Sequence, residues 1–343
     1  MTDSRLRKRP TQDDVARVAG VSQTVVSVVL NDRSPVAISP ETRQRVLTAI
    51  EELGYVPDGS ARSLRTRKTL IIASLIPDIA NPFYPAFERG IQDVADGHGY
   101  DLIAYNTDEV REKELRSIRS MQRARVDGVI ATPFHVTPED FSPLLDSGVP
   151  VVVFGEMTVV APDLPIDYIY VDDNSAAQAL VSYLLDRGLL PLAVISGSTE
   201  SLRRDWRVPA VRRVMTDRGF PYQEILAKGP DHTERGGYDA MQEVLAHSPR
   251  PRAVFATNDM MAIGAMLAIR NAGLHVPDDI AVAGFDDITV ARLLNPPLTT
   301  VAQFPERLGC RAAEMLFERI DGSANGEGRR VVMPYELMIR SSA

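Results

Sequence analysis

The sequence predicts an α/β protein in two unequal parts. An N-terminal three-helix helix-turn-helix headpiece precedes a larger body of two doubly wound parallel-sheet subdomains. Three observations carry this. Up to Leu53 the apolar residues recur only at helical spacing, in short capped segments. From Leu70 short continuous apolar runs alternate with amphipathic helices, the pattern of a parallel sheet covered on both faces. Charge divides near the same place: residues 1–68 hold 12 Lys and Arg against 8 Asp and Glu, a net +4, and the remainder 26 against 38, a net −12.

The first helix opens at Thr11, an N-cap with Asp14 three residues on, a variant of the capping box. Asp13 and Asp14 place negative charge at the positive end of the helix dipole. Val15, Ala16 and Ala19 give a buried face, and Gly20 ends the helix. Ser22 caps a second helix through Val25, Val26, Val29 and Leu30. The pair has the size and order of a DNA-binding helix-turn-helix, whose second helix enters the major groove. Ser39-Pro40-Glu41 starts a third helix with an apolar face of Val46, Ala49, Ile50 and Leu53, stopped by Gly54. Residues 59–66 are basic and too short to hold a helix alone.

In the body the expected order is strand LIIASLI, helix Phe83 to Gly97, strand DLIAY, helix Glu109 to Arg125, strand GVIAT, a short helix Pro138 to Ser147, and strand VPVVVF. It continues with strand YIYV, helix Ser175 to Arg187, strand LAVIS, helices Arg204 to Arg218 and Thr233 to Ala246, strand AVFAT, helix Met260 to Asn271 and strand IAVAGF. The tail adds TTVAQ, a helix Pro305 to Ile320 and a strand near Val331 to Met338.

Ligands of open α/β sheets bind beyond the carboxyl ends of the strands. There the sequence offers Pro77 to Tyr84, Asp172-Asp173-Asn174, Gly197 to Arg207, Asn258-Asp259 and Asp286-Asp287. Acids and amides around an aromatic pair suit a small polar ligand, although Asp173 and Asp259 could equally serve as helix caps.

VARVAGVS followed by VSVVLN closely resembles the start of lactose-repressor (LacI/GalR) family regulators. PDIANPFY, VDDN, ATNDMMAIG, VAGFDD and PPLTTVAQ look like further family signatures in the family order. The resemblance implies a periplasmic-binding-protein-like body with three chain crossings between subdomains, near Ile166 to Asp172, Leu298 to Ala302 and Gly326 to Val331. The expected domains are a DNA-binding headpiece, residues 1–58, a hinge helix, 59–69, and an effector-binding and dimerisation domain, 70–343. Expected DNA contacts are Thr11, Ser22, Gln23, Thr24, Val28 and Asn31, with Arg62 and Leu64 in the hinge, where the family inserts a leucine into the minor groove. Expected effector contacts are Phe83, Tyr84, Asp173, Arg204, Trp206, Asn258, Asp286 and Gln303.

The chain departs from the family pattern in three places. Asp58 stands where Asn is usual. Val28 stands where many members have arginine, so base reading falls to Gln23 and Thr24, and Gln can pair bidentately with adenine. Near Pro209, Trp206 falls where the family's sugar-gripping arginine is expected, with Arg204 or Arg207 as substitutes.

The single cysteine, Cys310, excludes an internal disulfide or a thiolate cluster. The five histidines show no metal-ligand spacing, and neither G-x-G-x-x-G nor a Walker loop is present. No secretory leader and no apolar span of membrane length is visible. The sequence therefore reads as a cytoplasmic transcriptional regulator, with repression the expected sense, and not an enzyme. Its expected partners are double-stranded operator DNA, a small-molecule effector such as a sugar or other metabolite, and a second copy in a homodimer. No cofactor, metal or membrane is expected.

Overall fold

The structure, a computed structural model, describes residues 10–30, 38–56, 68–155, 163–197, 206–220, 225–229 and 231–343. The chain divides into two compact units at Thr69/Leu70.

In the first unit, α1 (Gln12–Ala19), α2 (Gln23–Leu30) and α3 (Pro40–Leu53) bury one another. The capping box forms as expected: Asp14 N–H donates to Thr11 Oγ1 at 3.3 Å, and Thr11 N–H to Asp14 Oδ2 at 3.0 Å. Gly20 and Gly54 take the left-handed conformation, φ 66° and 60°, that stops α1 and α3. Val15, Ala16, Ala19, Val26, Val29, Val46 and Ala49 form the small core. Val25, Leu30, Ile50 and Leu53 are half-buried around it.

The body holds two parallel sheets. In the first, β1 (Ile71–Ile76), β2 (Asp101–Asn106), β3 (Gly128–Ala131), β4 (Val151–Phe154), β5 (Asp167–Val171) and β11 (Arg330–Met333) lie in the order β11-β5-β4-β3-β1-β2. In the second, β6 (Leu192–Ser196), β7 (Ile225–Lys228), β8 (Ala253–Ala256) and β9 (Ala281–Ala283) lie in the order β7-β6-β8-β9. A short antiparallel pair, β10 (Thr300–Ala302) and β12 (Glu336–Met338), flanks them.

Helices α4 (Phe83–His98), α5 (Arg111–Ala124) and α10 (Pro305–Ile320) cover the first sheet. Helices α6 (Asp173–Asp186), α7 (Arg207–Asp217), α8 (Glu234–Leu245) and α9 (Asp259–Asn271) belong to the second lobe. Small residues let two helix pairs cross at backbone distance. A Cβ on Gly90 of α4 would lie 2.0 Å from Glu306 O of α10, and one on Gly264 of α9 would lie 1.9 Å from Glu234 O of α8. Any larger side chain there forces the helices apart.

The structure corrects four expectations. Helix Glu109 to Arg125 begins only at Arg111, because Asp108 and Glu109 both take left-handed φ, 50° and 54°. Strand β7, unanticipated, is a short edge strand of the second sheet. The single strand expected near Val331 to Met338 is two strands in different sheets. Pro334 between them has no N–H to donate, which ends the ladder. The third crossing between sheets therefore falls at Pro334–Tyr335 rather than within Gly326 to Val331. The other two follow β5, at Asp172, and β10, at Gln303–Phe304.

Candidate effector cleft and nucleic-acid interface

The carboxyl ends of both parallel sheets open into one cavity of about 400 Å³. That lies within the range of small-molecule sites. The first lobe contributes Asp78, Asn81, Phe83, Tyr84, Asp108, Glu109, Thr132, Phe134, Phe154 and Tyr170. The second contributes Asp173, Trp206, Arg207, Asp231, His232, Asn258 and Asp286, with Gln303 at the second crossing. Seven of the eight effector residues expected from sequence line it: Phe83, Tyr84, Asp173, Trp206, Asn258, Asp286 and Gln303. Arg204 lies outside the described residues.

Helix caps decide which acids face the cavity. Asp172, not Asp173, caps α6, accepting from Ser175 N–H at 2.9 Å. This leaves the Asp173 carboxylate toward Arg207, whose Nε is 4.0 Å away. Asn258, not Asp259, caps α9: its Oδ1 accepts from Met261 N–H at 2.8 Å, while its Nδ2 donates to His232 O at 2.9 Å. Asp259 is wholly buried behind the wall, accepting from Ile288 N–H at 2.9 Å and Thr300 Oγ1–H at 2.6 Å. Burial, then the nearby Asp286 carboxylate, pushes its pKa well up.

Asp286 follows the last strand of the second sheet with φ 119°, in the half of conformational space that favours glycine. Its amide is fixed by the neighbouring strand, Asp286 N–H donating to Val301 O at 2.9 Å. Its carboxylate accepts from Gln303 Nε2 at 2.7 Å. Burial raises its pKa to about 7 against the pull of Arg207 and the Gln303 hydrogen bond. Gln303 is thus the support of an acid as well as a wall residue. Tyr84, half-buried beside Glu109 and Asp286, has its phenol pushed well above its ordinary range, loss of solvent around the phenol being the main cause.

Glu109 and His232 join the two lobes directly. His232 Nδ1 lies 2.9 Å from Glu109 Oε2, and the imidazole meets the Phe134 ring edge-on at 5.9 Å. Glu109 is held by its left-handed backbone and by His135, whose Nε2 is 2.7 Å from its carbonyl. Asp108 beside it pairs with Lys113 and Asn106. The loop bearing Phe134 is tied down by the buried Glu114, which accepts from the N–H groups of Phe134, His135 and Val136 at 2.8, 3.1 and 2.9 Å. Gly197 gives His232 its room: a Cβ there would lie 2.4 Å from His232 Nε2.

Two polar groups in the wall lack a hydrogen-bond partner among the described residues: the indole Nε1 of Trp206 and the hydroxyl of Thr132. Buried polar groups are rarely left so.

Glu109, Thr132, Phe134, Asp231 and His232 were not anticipated. Applying the strand-end rule to β2 and β3 as well would have reached Asp108, Glu109, Thr132 and Phe134. Asp231 and His232 follow the carboxyl end of β7, the strand that the sequence reading did not anticipate, so the rule had no strand end there to apply to.

On the headpiece, Gln23 and Thr24 are exposed at the start of α2, as is Ser22, whose Oγ accepts from Val25 N–H at 3.4 Å. Thr11 is exposed and committed to its cap, and Val28 is half-buried. Asn31, Arg62 and Leu64 lie outside the described residues. Among the described residues no cluster of metal ligands occurs, and no helix is long and apolar enough to cross a membrane.

A helix-turn-helix between basic segments, its second helix starting with the exposed Gln23 and Thr24, followed by two lobes enclosing a polar cavity, is the build of a DNA-binding regulator governed by a small molecule. Comparison with known proteins agrees along the whole chain. Residues 11–58 match the bacterial regulatory proteins of the lacI family, and residues 181–343 match a periplasmic binding protein-like domain. Catabolite control protein A of Priestia megaterium is 35% identical over 337 residues, 96% of this chain and 98% of its own. The ribose operon repressor of Escherichia coli K12 is 36% identical over 338 residues, 97% of this chain and 99% of its own. Among solved structures, the complex of the transcriptional regulator CelR with cellobiose has a TM-score of 0.72 and 32% identity, covering 98% of this chain and 100% of that one. The chain belongs to the LacI family: it is a DNA-binding transcriptional regulator that responds to a small-molecule effector.

Proposed function

We propose that this regulator represses, as a homodimer acting on cytoplasmic DNA, and that its effector is a polyhydroxylated metabolite of the sugar class held between the two lobes. The observation that carries the effector reading is the cavity wall. Carboxylates and amides that accept from and donate to hydroxyls stand beside aromatic faces that cover the apolar side of a sugar ring. Phe83, Tyr84, Asp173, Trp206, Asn258, Asp286 and Gln303 form the proposed contact set, joined by Arg207 and His232. The cellobiose named with CelR and the ribose named with the Escherichia coli repressor fall in the same chemical class.

On the DNA side, Gln23 and Thr24 read bases while headpiece cations meet phosphates. Each subunit reads half of a two-fold site. Closure of the lobes on effector, linked across the mouth by Glu109 and His232, changes operator affinity by coupling typically worth ~1–3 kcal/mol, about five- to 150-fold. The protein acts by binding, not turnover.

The test is operator selection from random duplexes, followed by fluorescence anisotropy with and without cellobiose, ribose and other sugars. The expected result is a two-fold symmetric selected site whose affinity shifts by at least several-fold with one sugar. Selection of no sequence removes the DNA assignment, and a site whose affinity no sugar moves removes the effector class.

A further inference from the structure

We propose that the cleft rejects anions, so that its effector is an uncharged or amino-substituted polyol and not a phosphorylated or carboxylated sugar. This rests on the cavity being the effector site. Asp78, Asp108, Glu109, Asp173, Asp231 and Asp286 all line it, against Arg207 and His232. Neither Arg207 nor His232 is spare for a ligand anion. Arg207 stands 4.0 Å from Asp173, with its guanidinium 5.0 Å from the centre of the Phe285 ring, and His232 faces Glu109 at 2.9 Å. Lys113, next to the wall, is engaged by Asp108. Residues 198–205 lie outside the described residues, and their sequence, with Glu200, Arg203, Arg204 and Asp205, adds no net charge.

The backbone offers an anion no better reception. Phosphate and carboxylate groups are commonly held by N–H groups at helix starts. Here a side chain already occupies one of those donors at each of four helices that border the cavity, while α7, which starts at Arg207, has no side-chain cap. Asn81 Oδ1 takes Phe83 N–H at 3.0 Å, Asp172 Oδ1 takes Ser175 N–H at 2.9 Å, Thr233 Oγ1 takes Gly236 N–H at 3.2 Å, and Asn258 Oδ1 takes Met261 N–H at 2.8 Å. An anion entering this wall would lose its water, meet like charge, and find few donors in return. A hydroxyl meets acceptors it can donate to, and an ammonium gains a counter-charge.

Trp206 is the only tryptophan and lies in the cavity wall, so its fluorescence reports the local charge without any knowledge of the effector. Quenching of the full-length protein by caesium and by iodide is compared at matched ionic strength, each normalised to the chain unfolded in urea. Caesium is expected to quench several-fold more effectively than iodide, because a cleft of one sign concentrates the opposite ion. Asp78→Asn and Asp173→Asn are expected to narrow that ratio. Equal quenching, or an iodide preference, overturns the proposal.

A second arm titrates matched ligands calorimetrically: glucose, glucosamine and glucose 6-phosphate, then ribose and ribose 5-phosphate. The phosphorylated member is expected to bind more weakly than its parent by about tenfold or more. A phosphate ester that binds as tightly as its parent overturns the proposal. Should no sugar bind while caesium still out-quenches iodide, the sugar-class reading fails and the rejection of anions stands.

Discussion

The same residue type does different work in the headpiece and in the cleft. Gln23 stands exposed at the start of α2. Gln303 is 6% exposed, with its amide already donated to Asp286. The first is suited to reading and the second to holding an acid in place. The surroundings differ in the same sense: the segment of residues 1–68 is net positive, and the cleft is lined by buried and half-buried carboxylates. The contrast teaches that exposure and the sign of nearby charge, more than residue identity, separate a surface for a polyanion from a pocket for a neutral polyol.

Salt gives the largest expected effect and the bluntest test of that contrast. Operator affinity should fall by about 10³–10⁵ between roughly 50 and 200 mM salt if some 6–10 phosphates are contacted. Effector affinity measured calorimetrically in the same buffers should move little. A steep salt dependence at both sites would erase the distinction.

Asp286→Ala should come next. Losing a buried acid that meets ligand hydroxyls should weaken effector binding by about 10–100-fold while leaving operator binding unchanged, since hydrogen bonds to charged groups are worth ~1.5–3 kcal/mol. A normal effector response in a reporter assay would remove Asp286 from the contact set. Gln23→Ala is the mirror experiment. It should relax base choice at one position per half-site, by about 1–3 kcal/mol for a bidentate pair, with effector affinity intact. An unaltered selected site would end that role for Gln23.

The smallest effect concerns stability. Folding raises the Asp286 pKa to about 7, so between the ordinary carboxylate range and pH 7 the folded state holds more protons than the unfolded state. Stability at this site therefore falls as pH rises through that window, and the full cost of ionising the buried group is present above pH 7. Asp286→Asn removes the ionisation and keeps an oxygen for Gln303. Its melting temperature should exceed that of the natural protein at pH 8, by an amount corresponding to about 2–4 kcal/mol, and match it near pH 4. Equal melting temperatures at both pH values would show that Asp286 titrates as a solvated acid.

The headpiece was legible in the sequence because everything that makes it is local. Thr11 with Asp14, Gly20, Ser22, and Ser39 with Pro40 are caps and stops whose meaning depends on neighbours within four residues. The cleft was legible in part. The strand-end rule pointed to Phe83, Tyr84, Asp173, Asn258 and Asp286, and the resemblance added Gln303. Sequence alone could not say whether Asp172 or Asp173 caps α6, since either sits within reach of its first turn.

The amino-acid sequence by itself thus determined the two-part division, the three-helix head, the alternating body and the chemistry expected of its pocket. Only the tertiary structure decided which side chains share that pocket. Two residues in left-handed conformation turn Glu109 out of the helix its periodicity suggests and bring it to His232, 123 positions away. Pro334 divides what looks like one strand between two sheets. Helical and strand periodicity are short-range properties of a chain. Convergence of loops from two sheets depends on how those sheets are aligned in space, which no window of neighbouring residues encodes.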